Sequence, residues 1–259
     1  GPARGTVTVR GRLGGRYWER ELTVDLPERE ETNGALASVW ARRRIEELIT
    51  LHTERIVHPR GHKQKYFRPD WTPVVSHPDP ERLYDVNHVD FGHDIEMGFL
   101  LLEAAEAIDC LDDPTVRGVA RELVAHTLRH GWDPGNGGIF NRGHYAGDEA
   151  DRCQVVDRDK FWWAQAEAMN TALLFSFLFP EEKDRYLDVH VRSWEYHTRW
   201  LLDDEHGGWT VFGLDTHPAA GRKRKGHQWK AGDHDVRALL NCLRWLQGDE
   251  RIAEGPRPR

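Results

Sequence analysis

The sequence predicts a mainly α-helical chain that forms part of a helical toroid, with short β-hairpins between helices and a further β-hairpin at the N-terminus. Six segments place apolar residues three and four positions apart, which is the spacing of an amphipathic helix. Long glycine-rich links separate the later helices, which is typical of a toroid whose functional site lies among its loops. Residues 6–26 instead alternate apolar and polar side chains, which indicates two strands. Six helices are too few to close a ring.

The N-terminal residues form the predicted β-hairpin segment, which we assign to residues 1–34. The alternating residues turn at Gly14 and Gly15, a pair suited to a two-residue hairpin connection. A helix is predicted from Ala35 to Leu51. We therefore assign residues 35–259 to a second, helical domain.

Five further helices are predicted in the second domain, each with an apolar stripe. They are His93 to Asp109, Pro114 to His130, Lys160 to Leu178, Glu181 to Leu202 and Asp233 to Gln247. Residues 67–90, rich in proline, aspartate and histidine, are predicted to form a long loop. Residues 131–151 and 206–230 are glycine-rich links, in which we expect small hairpins at Ile139-Phe140 and at Trp209 to Phe212.

Composition excludes several functional classes. Thirty-six basic residues against 43 acidic ones give a formal charge of -7, so we expect no binding to nucleic acid or to a membrane, and a small-molecule substrate instead. Three widely spaced cysteines build neither a disulfide framework nor a CxxC metal site, which favours a reducing, cytoplasmic location. We expect neither a membrane span nor a signal peptide, because no apolar run approaches the roughly 20 residues that a span requires.

Eleven tryptophans are the main compositional anomaly. A flat aromatic face suits the apolar C–H face of a pyranose ring, so this excess favours sugar binding. A tryptophan-rich core would explain the same composition.

The first candidate motif is FGHDIE, from Phe91 to Glu96, at the start of a predicted helix. Helical spacing places His93 and Glu96 on one face, so the carboxylate favours the protonated imidazole while the helix N-terminus opposes it. Such a histidine can take up and return a proton near neutral pH. The alternative is that Asp94 caps the helix beside an incidental histidine.

A second motif, KFWWAQAE at residues 160–167, opens another predicted helix. Trp162 and Trp163 offer stacking surfaces next to Gln165 and Glu167, whose polar groups suit sugar hydroxyls. The alternative is one buried and one surface tryptophan without a functional role.

The third motif, KGHQWKAGDHDVR at residues 225–237, runs from a loop into the last predicted helix. His234 and Arg237 share a helical face, and the neighbouring cation is expected to lower the pKa of His234 and keep it neutral as a base. A solvated basic loop is the alternative, although it explains Trp229 poorly.

The three motifs, in this order, resemble the N-acylglucosamine 2-epimerase family, which includes cellobiose 2-epimerases. The resemblance runs from about Leu48 to Leu246, and the sequence DWTP from Asp70 to Pro73 supports it. It implies an (α/α)6 barrel of which this chain carries the later half only. The family's N-terminal half supplies an Arg, a Tyr and another His that have no counterpart before His93. Because the open side would expose apolar faces, a homo-oligomer is one expectation.

The resemblance also implies roles for individual residues. His93 and His234 fall on the two catalytic histidines of the family. Glu96 falls on the partner of the first histidine, and Trp229 falls on a sugar-stacking tryptophan. The residues on positions that line or support the pocket, which we take as substrate-binding, are Trp71, Trp162, Trp163, Gln165, Glu167 and Arg237.

Residues 5–48 have another character. They are faintly similar to a segment of bacterial proteins that join a VIT domain to a von Willebrand factor A domain, without a metal-binding signature. We take no function from that similarity.

The predicted reaction is epimerisation at C2 of a reducing aldose or N-acylhexosamine through a cis-enediol, or the related aldose–ketose isomerisation. Two acid/base groups on opposite faces suffice, and no metal or other cofactor is expected if hydrogen bonds stabilise the enediolate oxygen. His93 and His234 would alternate as acid and base, with Glu96 orienting His93 and Trp229 stacking on the sugar. The alternatives are an (α/α)6 glycoside hydrolase with paired carboxylates and a catalytically incomplete fragment or fusion that binds sugar.

Overall fold

The protein is described by a computed structural model. It covers residues 3–13, 16–26, 30–76, 82, 86–146, 152–230, 232–249 and 251–252. The contacts within the chain divide it into two compact units, Gly1–Leu48 and Ile49–Arg259.

The N-terminal unit contains the predicted β-hairpin. Strands β1 (Ala3–Leu13) and β2 (Arg16–Leu26) pair antiparallel along their whole length. The predicted Gly14-Gly15 turn lies outside the described residues.

Helix α1 (Glu30–Leu51) begins before the predicted start at Ala35. A single glycine, Gly34, is tolerated inside a helix, so the Thr-Asn-Gly sequence that we interpret as a helix start is part of α1 instead. The domain boundary predicted after residue 34 therefore falls within α1, whereas the contacts place the division after Leu48.

The second unit is built from helices close to the predicted ranges. They are α2 (Phe91–Ala107), α3 (Pro114–His130), α4 (Trp162–Leu178), α5 (Lys183–Tyr196) and α6 (Asp233–Leu246). Single turns of π-helix extend α1 through His52–Ile56 and α5 through His197–Leu201. In the described part of the chain, no helix combines the length and the apolar character needed to cross a lipid bilayer.

Helices α2, α4 and α6 form an inner layer, and α3 and α5 pack outside it. α4 is apolar around most of its circumference and almost wholly buried, because it packs against α2, α5 and α6. The outer helix α5 has one buried stripe, which includes Tyr186, Val189 and Tyr196. This alternation of inner and outer helices is the arrangement predicted for part of a toroid.

Short strands connect the helices. Strands β3 (Val57–His58) and β4 (His62–Lys63) form an antiparallel pair, and β5 (Val89–Asp90), β6 (Arg142–His144) and β7 (Gln154–Asp157) form an antiparallel sheet. Two to four residues are too few to show alternation, so the sequence does not locate these strands. The regions where we expect hairpins form isolated bridges, such as Trp132 with Ile139 and Leu202 with Trp209.

Two turns share one sequence pattern, in which an aspartate is followed after three residues by Gly-Gly. One turn follows α3, and the other follows the π-helical extension of α5. In the Asp133 turn (residues 133–138), the N–H of Asp133 donates to the carbonyl of Gly138 at 2.9 Å. In the Asp203 turn (residues 203–208), the N–H of Asp203 donates to the carbonyl of Gly208 at 3.0 Å. Both terminal glycines have a positive φ, 77° and 73°, which other residues adopt only with strain.

Lys160 closes the Asp133 turn from inside the protein, where its side chain is fully buried. Its Nζ donates to Oδ2 of Asp133 at 2.7 Å and to the carbonyl of Gly137 at 2.9 Å. The same Nζ donates to Oδ2 of Asp215 at 2.8 Å, and the hydroxyl of Tyr196 donates to Oδ1 of Asp215 at 2.6 Å. This network links segments that are distant in the sequence at the loop end of the helices.

Candidate active site

His93 lies in the first turn of α2, directly after strand β5. Asp90, the last residue of that strand, caps the helix, because its Oδ1 accepts a hydrogen bond from the backbone N–H of His93 at 3.4 Å. The other carboxylate oxygen, Oδ2, lies 2.8 Å from Nδ1 of His93. It also accepts a hydrogen bond from Nζ of Lys65 at 2.8 Å. One carboxylate therefore both starts the helix and holds the imidazole ring.

The charge state of Asp90 suits this role. Burial favours the neutral carboxyl, but the contacts with His93 and Lys65 outweigh burial and hold the pKa of Asp90 well below its ordinary range. Because a carboxylate only accepts hydrogen bonds, the 2.8 Å contact with Asp90 favours the form of His93 that carries a hydrogen on Nδ1. Nε2 of His93 is then the atom that can exchange a proton with a ligand.

The pairing of His93 with Glu96 that helical spacing predicts is contradicted by the structure. α2 begins earlier than predicted, so Asp90 becomes the cap and stands three residues before His93. The alternative cap, Asp94, is fully buried and accepts a hydrogen bond from the backbone N–H of Lys63 at 2.9 Å. Burial raises the pKa of Asp94 well above its ordinary range.

His234 lies in the first turn of α6 and faces glutamates from the two other inner helices. Its Nδ1 is 2.6 Å from Oε1 of Glu167 on α4 and 3.7 Å from Oε1 of Glu96 on α2. Arg237, one turn later, donates from Nη2 to Oε1 of Glu167 at 2.6 Å and to Oε1 of Glu96 at 2.9 Å. The three inner helices thus meet in one charged cluster, whose members are Glu96, Glu167, His234 and Arg237.

The charged cluster changes the acidity of His234. Burial favours the neutral imidazole, but the hydrogen bond and charge of Glu167, supported by Glu96, outweigh burial and raise the pKa of His234 above its ordinary value. The lowered pKa that we predict from Arg237 is therefore wrong. The guanidinium is paired with both glutamates, while Glu167 contacts the imidazole directly.

The indole of Trp163 contacts both histidines. Its ring centroid lies 4.7 Å from that of His93 and 5.4 Å from that of His234. Gly92 leaves room for this arrangement, because a Cβ at this position would lie 2.5 Å from Cη2 of Trp163 and 2.8 Å from Cβ of Ala164. The close approach of the indole therefore explains the glycine of the FGHDIE motif.

Two neighbours of Trp163 on α4 support the site from inside the core. Trp162 is buried, and so is Gln165. Oε1 of Gln165 accepts from the N–H of Ile139 at 2.7 Å, and its Nε2 donates to the carbonyl of the same residue at 2.9 Å. The structure does not support the substrate contact predicted for Trp162 and Gln165. Successive helical residues point about 100° apart, so Trp163 faces the histidines while Trp162 faces the core.

Glu167 and Arg237 also form contacts within the protein. Glu167 is fully buried, and its Oε1 receives both His234 and Arg237. We expect these two side chains to act on a substrate through His234 rather than by direct contact.

Trp229 and Trp71 lie at the surface. Trp229 is 76% exposed, on the loop that leads into α6, so its indole can stack on a ligand. Trp71 has a φ of 66°, and its ring packs on that of Phe67 at a centroid distance of 5.5 Å. In the part of the chain that the structure describes, Trp71 contacts neither His93 nor His234, so its predicted role has no geometric support.

The described residues include one group that could hold a metal ion, formed by Glu96, Glu167 and His234, whose ligand atoms lie within 4.8 Å of one another. The guanidinium of Arg237 is hydrogen-bonded to the same carboxylates. A cation would have to compete with this fixed positive charge. The cluster is therefore better suited to controlling a proton than to binding a metal.

Sequence reasoning missed Asp90 and Lys65. An aspartate three residues before His93 is a recognisable capping signal, although only the true start of α2 reveals it. Lys65 has no such signal, because it is 25 residues from Asp90 and reaches it only through the approach of β4 to β5.

Comparisons with known proteins agree with the motifs. Residues 31–229 match the family model of N-acylglucosamine 2-epimerase (GlcNAc 2-epimerase). The chain is 31% identical over 219 residues to a cellobiose 2-epimerase of Bacteroides fragilis, which covers 80% of this chain and 49% of that protein. It is 29% identical over 128 residues to a D-mannose isomerase of Marinomonas mediterranea, which covers 49% of this chain and 30% of that protein.

A solved structure of the cellobiose 2-epimerase of Spirochaeta thermophila matches with a TM-score of 0.60 and 31% identity, over 82% of this chain and 46% of that chain. Structural relatives of this kind are (α/α)6 barrels, so the predicted fold class is confirmed. The chain spans about half the length of the curated relatives it matches. The family match begins at residue 31, inside α1. The faint similarity of residues 5–48 to other proteins has no support.

Proposed function

Because this chain belongs to the N-acylglucosamine 2-epimerase family, we propose that it acts on a reducing aldose or N-acylhexosamine by removing and returning the proton at C2. One observation carries the proposal. His93 and His234 both contact the indole of Trp163, and a carboxylate engages the Nδ1 atom of each ring. Two histidines held in this way offer acid/base groups around one bound sugar.

The proposed reaction starts from the open-chain sugar. The neutral imidazole of one histidine takes the proton from C2, the electrons of the C2–H bond form the C1–C2 double bond, and the carbonyl oxygen becomes an enediolate oxygen. The protonated imidazole of the other histidine then delivers a proton to the opposite face of C2, and the carbonyl forms again. The two histidines exchange protonation states in each turnover, so the reverse reaction uses the same pair with roles exchanged.

The contacts support revised roles for the carboxylates. Asp90 holds His93, and Glu167 holds His234 and favours its protonated form. Glu96 belongs with Arg237 on the side of His234, where it supports Glu167 rather than orienting His93. Trp163 and Trp229 provide the aromatic surfaces for the apolar face of the sugar ring.

Deuterium exchange tests the proposal directly. The protein is incubated in heavy water with mannose, glucose, N-acetylmannosamine or cellobiose, and deuterium at C2 is measured by NMR. We expect deuterium at C2 of one of these sugars together with its 2-epimer. Free glucose from cellobiose would indicate a glycoside hydrolase instead. A folded sample without exchange would contradict the proposal and leave a sugar-binding fragment.

Aldose–ketose isomerisation is a second candidate, favoured by the similarity to a D-mannose isomerase. It passes through the same enediol, but the proton returns to C1. The same experiment separates the two reactions, because isomerisation of mannose gives fructose with deuterium at C1.

A reducing, cytoplasmic location remains part of the proposal. Cys153 and Cys242 are buried, and burial raises the pKa of each thiol to about 12, so these two cysteines are structural rather than reactive.

A homo-oligomer also remains a prediction. The outward face of α6 supports it, because that face exposes a row of apolar side chains. They are Val236, Leu239, Leu240, Leu243 and Leu246.

Glu167→Gln is expected to shift the pH dependence of exchange. Glu167 raises the pKa of His234, and its neutral replacement leaves burial, which lowers that pKa, as the larger influence. If His234 acts as the base, the acidic limb of the pH profile of kcat/KM moves to lower pH, and the plateau falls because the ring is less firmly held. An acidic limb at unchanged pH would show that another group controls it.

Gly92→Ala is expected to lower the exchange rate by about 100-fold through displacement of the indole that contacts both histidines. The added methyl meets Trp163 and the fixed Cβ of Ala164, so the indole has to move. We also expect a loss of about 1 to 3 kcal/mol in the free energy of unfolding from overpacking. NMR exchange rates and urea unfolding measure the two effects.

Gly118→Ala is the matched control. Gly118 lies within α3, and a Cβ there would meet no atom within 4 Å. We expect unchanged exchange and a gain of about 0.5 to 1 kcal/mol in stability, because alanine has the higher helix propensity. Full exchange in Gly92→Ala would show that the position of the indole does not matter.

A further inference from the structure

Residues 225–230 form the loop that carries Trp229, and we call it the Trp229 loop. Because the indole of Trp229 is largely exposed, packing against the protein does little to fix its orientation. The backbone of Trp229 is held, since its N–H donates a hydrogen bond to Nδ1 of His227 at 3.2 Å. The position of the indole therefore depends on how the backbone of the loop is held.

A lysine anchors each end of the Trp229 loop. Nζ of Lys225 donates to Oδ2 of Asp203 at 2.6 Å and to the carbonyl of Gly207. At the other end, Nζ of Lys230 donates to the carbonyl of Trp209 at 2.8 Å. All three acceptors belong to the Asp203 turn or to the residue that follows it.

The Asp203 turn is a firm support for these anchors. Oδ1 of Asp203 accepts from the backbone N–H groups of Glu205 at 3.1 Å and His206 at 2.9 Å, while Oδ2 receives Lys225. Both oxygens of this carboxylate are therefore used, one to shape the turn and the other to hold the Trp229 loop.

Two residues of the Trp229 loop, His227 and Lys230, rest on α4. The ring of His227 meets that of Trp162 edge-on at a centroid distance of 5.4 Å, and Nζ of Lys230 lies 5.4 Å from the centroid of the same indole. Trp162 directly precedes Trp163, which contacts His93 and His234. The loop and the histidine pair thus share α4 as a common support.

We propose that Asp203 and Lys225 are positioning residues that hold Trp229 as the stacking surface for a reducing sugar. The proposal rests on the proposed function and deepens it, because it assigns substrate affinity to a contact outside the histidine pair. Asp203 and Lys225 act on the sugar only through the Trp229 loop. Their loss therefore raises KM and leaves the proton transfer itself unchanged.

Lys160 is the equivalent lysine of the Asp133 turn, and comparison with it shows why loss of the loop anchor can be separated from loss of protein stability. Lys160 makes the same pair of contacts, with an aspartate and a glycine carbonyl, but it is fully buried, whereas the side chain of Lys225 is 29% exposed. Both side chains of the Lys225–Asp203 ion pair are partly exposed to solvent, so its loss is expected to change stability little, and Lys225 can be replaced without unfolding the protein.

The test compares the Lys225→Met and Asp203→Asn variants with the unaltered protein, each as the full chain. Hydrogen exchange of the backbone amides of residues 225–230, followed by mass spectrometry, reports how firmly the loop is held. Calorimetric titration with mannose and with cellobiose reports sugar affinity, and the C2 exchange rate reports kcat and KM. We expect faster amide exchange, a KM and Kd raised about two- to ten-fold, and an unchanged kcat.

Three controls distinguish positioning from a general loss of structure. Lys223→Met removes a lysine of the preceding residues whose Nζ contacts His217 instead of Asp203, and it is expected to change none of these quantities. Lys225→Arg restores a donor to Asp203 and is expected to recover KM. Combining Lys225→Met with Trp229→Ala is expected to be no worse than Trp229→Ala alone.

Several outcomes would overturn the proposal. Amide exchange that stays slow in both variants would show that the contacts do not hold the loop. Faster exchange with unchanged Kd and KM would show that the loop does not serve the sugar. Additive losses in the combined variant would show that Lys225 acts independently of Trp229. If the unaltered protein shows no C2 exchange, the proposed function fails, while amide exchange and sugar affinity still decide this proposal.

Discussion

His234→Asn is expected to reduce deuterium incorporation at C2 by roughly 10² to 10⁴-fold, the range typical of a lost general acid/base group. Asparagine retains an N–H donor for Glu167 but has no group that titrates near neutral pH. Because the replacement is smaller and remains hydrogen-bonded, we expect the fold to be retained. The rate is measured by NMR in heavy water, and circular dichroism checks the fold.

His93→Asn is expected to have an effect of similar size, since each turnover needs both histidines. The double variant should be little worse than either single one, because residues that act as a unit show non-additive losses. His206→Asn is the control, as the side chain of His206 is 69% exposed on the Asp203 turn. Incorporation that survived both active-site changes would falsify the two-histidine mechanism.

The helices could be predicted from the sequence because an apolar stripe is a local property. α3 begins at Pro114 and ends at His130 as predicted, with Asp113 as its cap. The starts of α1 and α2 were displaced, and the second displacement mattered for chemistry. Asp90 caps α2 and is the partner of His93. Helical spacing predicted Glu96 as that partner instead.

The contents of the site could be predicted better than its contacts. The motifs named both histidines, Glu96, Glu167 and Arg237, and the structure brings them around Trp163 or into one charged cluster. Helical spacing shows which residues share a face, but it says nothing of what lies across from that face. Glu167 is 67 residues from His234, and only the packing of α4 against α6 brings the two together.

The same limit explains the error in the pKa of His234. Helical spacing alone places Arg237 on the same face of α6 as His234, and from that one neighbour the pKa is expected to fall. When the three inner helices are considered together, the carboxylates of Glu96 and Glu167 pair with Arg237, and Glu167 also contacts the imidazole of His234. The sign of the shift is therefore a property of the tertiary structure.

Lys160→Met is expected to lower the free energy of unfolding by about 3 to 5 kcal/mol, the largest effect on stability that we predict. The change keeps the apolar stem but removes a fully buried charge that donates to both Asp133 and Asp215. Two carboxylates that share one cation would then face each other without it. Chemical denaturation followed by circular dichroism measures the loss.

Lys225→Met provides the matched comparison, because it removes the same contacts from the Asp203 turn at a partly exposed position and is expected to cost much less stability than Lys160→Met. The loss in Lys160→Met should also diminish at acidic pH. Burial favours the neutral form of Asp133, but Lys160 lowers its pKa below the ordinary value, so the ion pair stabilises the fold only where this carboxyl is ionised. Equal losses in the two variants, or a loss independent of pH, would show that burial of the ion pair is not what stabilises this end of the helices.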